Sequence, residues 1–85
     1  MAQKAKLEIA CFNLAATLIA QKNGADRVEF CDGILVGGIT PDKTATELAR
    51  ASLKIDLYVM IRPRGGDFVY SESEFQQMKS DILAF

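Results

Sequence analysis

The sequence contains no histidine, so the commonest general base and the commonest zinc ligand are both missing from it. Cysteine is scarce: there are two, Cys11 and Cys31. Without a secretion signal they read as reduced thiols rather than a bridge. No such signal is evident, because Met1-Ala2-Gln3-Lys4 leads into a segment broken by Lys6 and Glu8 instead of an apolar core. The apolar stretches fall far short of the roughly 18–20 residues that span a bilayer. An excess of one charge is also lacking. Ten Lys and Arg stand against eleven Asp and Glu, for a formal net charge of −1. That balance offers no basic field for nucleic acid. These absences together predict a cytoplasmic protein with neither nucleic acid nor membrane as partner.

What is present is an ordinary globular composition, 49% apolar and 25% charged, over 85 residues, enough for one small domain. The pattern is strand then helix, three times. Lys6-Leu7-Glu8-Ile9-Ala10-Cys11-Phe12 reads as a first strand, about 6–12. Asn13 is a good helix N-cap, and Leu14, Leu18 and Ile19 give helical spacing over about 14–23, stopped by Asn23-Gly24. A second strand follows at about 27–31. After a glycine-bearing loop, Thr40 as cap and Pro41 as first helical residue predict a helix over about 41–52, with Leu48 and several alanines on its packing side. A third strand spans about 57–62. Ser71-Glu72-Ser73-Glu74 is a capping box, and Phe75, Met78, Ile82 and Phe85 recur at helical spacing over about 72–85.

Strands alternating with helices imply parallel βαβ units with right-handed crossovers. Three strands alone leave two bare edges, so the α/β fold expected here is the N-terminal part of a closed eightfold βα barrel, a (β/α)8 or TIM-type fold. Residues 1–85 would form one fragment of that single domain. Bare edges and apolar helix faces also predict a homo-oligomer.

The densest chemistry lies in Ile61-Arg62-Pro63-Arg64-Gly65-Gly66-Asp67-Phe68, directly after the apolar run Leu57-Tyr58-Val59-Met60-Ile61. Strand exits are where ligands bind in parallel α/β sheets. Arg62, Arg64, Gly65, Gly66 and Asp67 form a candidate site for a small anionic ligand, a phosphate or carboxylate held by guanidinium groups and glycine amides. Arg62 and Arg64, two apart, would share a face, as would Glu29 and Cys31. Glu8, Glu29 and Arg62 are candidate catalytic groups if they converge inside a barrel; a buried Glu–Arg network filling its polar end fits the same pattern. Cys11 and Cys31 end neighbouring strands, where two thiolates would suit a soft metal such as Cu(I), although spacing alone favours buried cysteines that pack as small hydrophobes.

Four blocks of the chain resemble the CutC family of copper homeostasis proteins. They are Leu7-Glu8-Ile9 with Cys11; Asn23-Gly24-Ala25-Asp26-Arg27-Val28-Glu29 with Cys31; Gly37-Gly38-Ile39-Thr40-Pro41; and Ile61 through Phe68 with Tyr70-Ser71. The blocks fall in order and cover nearly the whole sequence. The resemblance implies a βα barrel and a cytoplasmic protein linked to copper handling, with Cys11 and Cys31 matching cysteines proposed to bind Cu(I). Met60 or Met78 would assist them. The alternative is a barrel enzyme acting on a small anionic metabolite, with Glu8 or Glu29 as acid or base.

Overall fold

A computed structural model describes residues 5–85; the N-terminal Met1-Ala2-Gln3-Lys4 segment lies outside the described residues. Three strands, β1 (Glu8–Cys11), β2 (Arg27–Phe30) and β3 (Asp56–Val59), alternate with three helices, α1 (Leu14–Lys22), α2 (Lys43–Ser52) and α3 (Glu72–Ala84). A short 3-10 turn, Ile34–Val36, interrupts the loop between β2 and α2. The sheet runs β1-β2-β3 with both pairings parallel. The fold is therefore three consecutive βα units of a TIM-type barrel.

Alternation along the strands sorts the side chains. Val28 and Phe30, fully buried in the central strand, face the helices and pack with Cys11, Ala20, Ala25, Ala49 and Leu53. The opposite face carries Glu8, Arg27 and Asp56 in one register row, then Ala10, Glu29 and Tyr58 in the next. One face is apolar and covered; the other is polar and open.

The block Asn23 to Glu29 fastens the base of the sheet. Gly24 takes the positive φ of 93° that ends α1. The amide of Ala25 reaches back to Ala20 O at 3.0 Å, burying Ala25 beneath the helix. Asp26 then grips the start of β1: its carboxylate accepts the Leu7 amide at 2.7 Å and its own amide donates to Leu7 O at 2.9 Å. The side chain of Gln21 ties α1 to the α2–β3 turn by accepting the amide of Lys54 at 2.6 Å.

Three expectations need correction. The helix over about 41–52 begins later, because Asp42 is its cap and accepts the Ala45 amide at 3.0 Å. Thr40 cannot cap it: its hydroxyl accepts the Arg62 amide at 2.9 Å across the sheet. Leu48 is not on the packing side of α2 but 55% exposed, since Thr46, Ala49 and Leu53 form the inward stripe. The strands are also shorter than read, with β3 ending at Val59, ahead of Pro63, whose ring offers no amide to a ladder. Asn13 and the Ser71 capping box act as read, accepting the amides of Ala16 and Glu74.

Candidate functional site

The carboxyl ends of the strands are crossed by two loops, residues 31–42 and 60–71, and Arg62 joins them. It is 8% exposed. One terminal nitrogen donates to Val36 O at 2.7 Å and to Gly38 O at 2.9 Å, and the other donates to Gly66 O at 2.9 Å. The guanidinium lies 4.8 Å from the centre of the Phe68 ring. A buried cation is tolerated here because carbonyl dipoles replace its water. Its Nε has no partner among the described residues.

Arg64 reaches the same glycine turn, donating to Gly65 O at 3.1 Å and Asp67 O at 3.2 Å. It bonds the Glu74 carboxylate, the Asp67 side chain at 3.2 Å and Val69 O at 2.7 Å, with the Tyr70 ring 5.3 Å from its carbon. Residues 60–64 are irregular, so strand alternation does not set these two side chains, yet both guanidinium groups meet the 65–67 turn. Both guanidinium groups hold the chain itself. Gly65 and Gly66 are packing and turn positions in the same lock. A Cβ on Gly65 would lie 2.6 Å from Val36 Cβ, and Gly66 has φ of 87°. Asp67 also accepts the Val69 amide at 3.1 Å.

Glu8 does not converge with Arg62. It opens β1 at the opposite end of the sheet from the mouth, and Arg27, its register partner on β2, lies 3.1 Å from it as an ion pair. Arg27 also sits 5.1 Å from the Tyr58 ring. Sequence reading missed Arg27; its signal was its place two residues before Glu29, on the same face of the same strand. Glu29 stands midway up the open face, between Ala10 and Tyr58, and makes no side-chain hydrogen bond or ion pair among the described residues.

The cysteines occupy opposite faces. Cys11 is level with Phe30 and lies in the helix-covered core. Cys31 comes one step later, with its amide on Cys11 O at 3.0 Å, so its side chain turns to the Glu29 face. Both thiols are free and buried. The Cys31 sulfur rests 3.6 Å from Cys11 O, and the residue also lines a cleft with Phe12, Asn13, Asp32, Pro41 and Asp42. Burial pushes both thiols up from their ordinary pKa; for Cys31 the charges of Glu29, Cys11 and Asp32 push in the same direction. Gly38, with φ of 103°, passes beside Cys31. A Cβ there would lie 3.6 Å from Cys31 Sγ and 3.6 Å from the Met60 methyl carbon. The glycine thus leaves a gap flanked by a thiol and a thioether, donors that suit a soft ion. Among the described residues no group of three or more His, Cys, Asp or Glu side chains gathers to hold a metal.

Residues 5–85 match the model of the CutC family. A CutC family protein of Photorhabdus laumondii is 49% identical over 77 residues, covering 91% of this chain and 31% of the relative. A CutC family protein of Xylella fastidiosa is 49% identical over 82 residues, covering 96% of this chain and 31% of the relative. The chain thus spans about a third of the length of the curated relatives it matches. Among solved structures, a Streptococcus agalactiae protein named as a copper homeostasis protein, CutC, superposes with a TM-score of 0.88 at 39% identity, over 95% of this chain and 40% of that one.

Proposed function

The chain belongs to the CutC family, and from that membership and the chemistry at its strand ends we propose that it serves copper homeostasis by holding Cu(I) at Cys31. The observation that carries the reading is the placement of Cys31: a buried thiol just after the central strand, in a residue that also lines a cleft between the N-terminal ends of α1 and α2. A thiolate is the side chain Cu(I) prefers, and a site shielded from water protects that ion from exchange. Copper here is cargo, and the work asked of the protein is retention and release. Two free thiols on adjacent strands fit a reducing compartment, so we place the protein in the cytoplasm.

The anion-binding enzyme reading has less support in the geometry. Arg62 and Arg64 are engaged by carbonyls and carboxylates of the chain, and Glu8 is paired at the far end of the sheet.

The test is an anaerobic Cu(I) titration against a competing chromophoric chelator. Cys31→Ser should weaken binding at least about tenfold, as loss of a ligand does. Cys11→Ser should change it little, because Cys11 lies behind the sheet. Equal affinity in the parent and Cys31→Ser would overturn the reading.

A further inference from the structure

Met60 sits beside Cys31 in the sheet. β2 and β3 are in register at Phe30 and Val59, and the Met60 amide extends the ladder to Phe30 O at 2.9 Å. Cys31 and Met60 follow directly after the paired Phe30 and Val59, and both side chains reach Gly38: a Cβ there would lie 3.6 Å from the Cys31 sulfur and 3.6 Å from the Met60 methyl carbon. The space on that side of Gly38 is thus bordered by the thiol sulfur and the thioether methyl.

We infer that Cys31 and Met60 together form a two-sulfur Cu(I) site beneath the Gly38 backbone, with a thiolate and a thioether as ligands. The inference rests on the copper reading above and names the second ligand. Its physical basis is charge as well as proximity. Glu29 and Asp32 already place negative charge near Cys31. A second thiolate would leave the bound ion with a net charge of −1 in a buried place that carries carboxylates nearby. Cu(I) with one thiolate and one neutral thioether is uncharged, which a site of low polarity tolerates best. Cys11 is also the wrong partner geometrically, since its side chain belongs to the core on the far side of the sheet.

Binding would proceed without redox change. The Cys31 S–H bond breaks and its proton goes to solvent. The sulfur then donates to Cu(I), and the Met60 sulfur donates a lone pair with no proton to lose. One proton is therefore released per ion, against two for a pair of thiols.

Three readouts test this on the full chain with Cu(I) alone as probe. Below the thiol pKa, apparent affinity should rise tenfold per pH unit, the slope of a one-proton release. The protein has three methionines, Met1, Met60 and Met78. With their methyl groups 13C-labelled, the Met60 resonance should move at one equivalent while the other two stay. Met60→Leu conserves volume and so preserves the fold; it should weaken Cu(I) at least about tenfold, whereas Met78→Leu should not. If Cys31→Ser abolishes binding but Met60→Leu and the Met60 resonance are unaffected, the copper reading stands and the thioether ligand is refuted. A two-proton slope together with loss of binding in Cys11→Ser would refute it in favour of a dithiolate. Failure of the parent to bind Cu(I) would overturn both.

Discussion

Replacing Arg62 by methionine keeps the stem of the side chain and removes every donor. Three charge-assisted hydrogen bonds are lost, to Val36 O, Gly38 O and Gly66 O. Each such bond contributes roughly 1.5–3 kcal/mol, but carbonyls near the surface regain water and part of that energy. The Phe68 ring, 74% exposed, adds at most about 1 kcal/mol. The net loss should be about 3–5 kcal/mol, within the range of broken buried polar networks. For a chain of 85 residues, total stability is roughly 4–13 kcal/mol, so the substitution removes a large share of it. Denaturant unfolding followed by circular dichroism should show a lower midpoint with an unchanged slope. Hydrogen exchange should localise the damage. The amides of Gly38, Ile39 and Thr40, which bond Gly33 O, Asp32 O and Arg62 O, should lose protection first. Arg62→Lys retains the charge but not the fork, and should lie between the two. An Arg62→Met midpoint within about 0.5 kcal/mol of the parent would refute the idea that this guanidinium locks the two loops.

Gly65→Ala places a methyl 2.6 Å from Val36 Cβ, an overlap that should cost about 1–3 kcal/mol; adding Val36→Gly, which removes that Cβ and both methyls beyond it, should recover part of it. Failure of the second change to rescue the first in a thermal melt would show that the clash is relieved elsewhere. The Glu74 carboxyl is held below its ordinary pKa, first by the Ser71 amide and then by Arg64. Because the folded state prefers the ionised form, its contribution is complete above the usual carboxylate pKa and fades as pH falls through the lowered value. Glu74→Gln should therefore be less stable than the parent at neutral pH, with the difference shrinking in acid; a gap that stays constant to pH 3 would contradict this. Burial and the Glu29 charge hold the Cys31 thiol up, so Glu29→Gln should lower its pKa and speed its alkylation near pH 8. An unchanged alkylation rate would mean that access alone governs this thiol.

The alternation of strands and helices was legible because it rests on local signals: period-two apolar runs, an Asn13 cap, a Ser71 to Glu74 box. Parallel pairing followed from the helix that separates each strand from the next. What sequence could not yield was the destination of long polar side chains. Arg62 and Arg64 read as a pair because they are two apart, and both reach the 65–67 turn, but Arg62 also binds the 31–42 loop and Arg64 binds Glu74 of α3. Glu8 read as a member of the mouth, but its neighbour across the strand is Arg27, and register between distant segments is not written locally. Thr40 had the form of a cap and was claimed by the backbone of Arg62, 22 residues away. Leu48 and Ile19 follow helical spacing and still face outward, because Thr17, Ala20, Thr46 and Ala49 let the helices sit close to the sheet. The gap at Gly38 was invisible for a related reason. It is defined by Cys31 and Met60, the residues directly after β2 and β3, and only the fold brings those together.

Among the described residues, β1 and β3 each keep one side without a neighbour, and the two sides are unlike: both strands point the same way but offer different rows of amides and carbonyls. A parallel strand laid beside β3, whether from the same chain or another, would meet the amides and carbonyls that β2 leaves unused there, and a strand beside β1 would meet a different row.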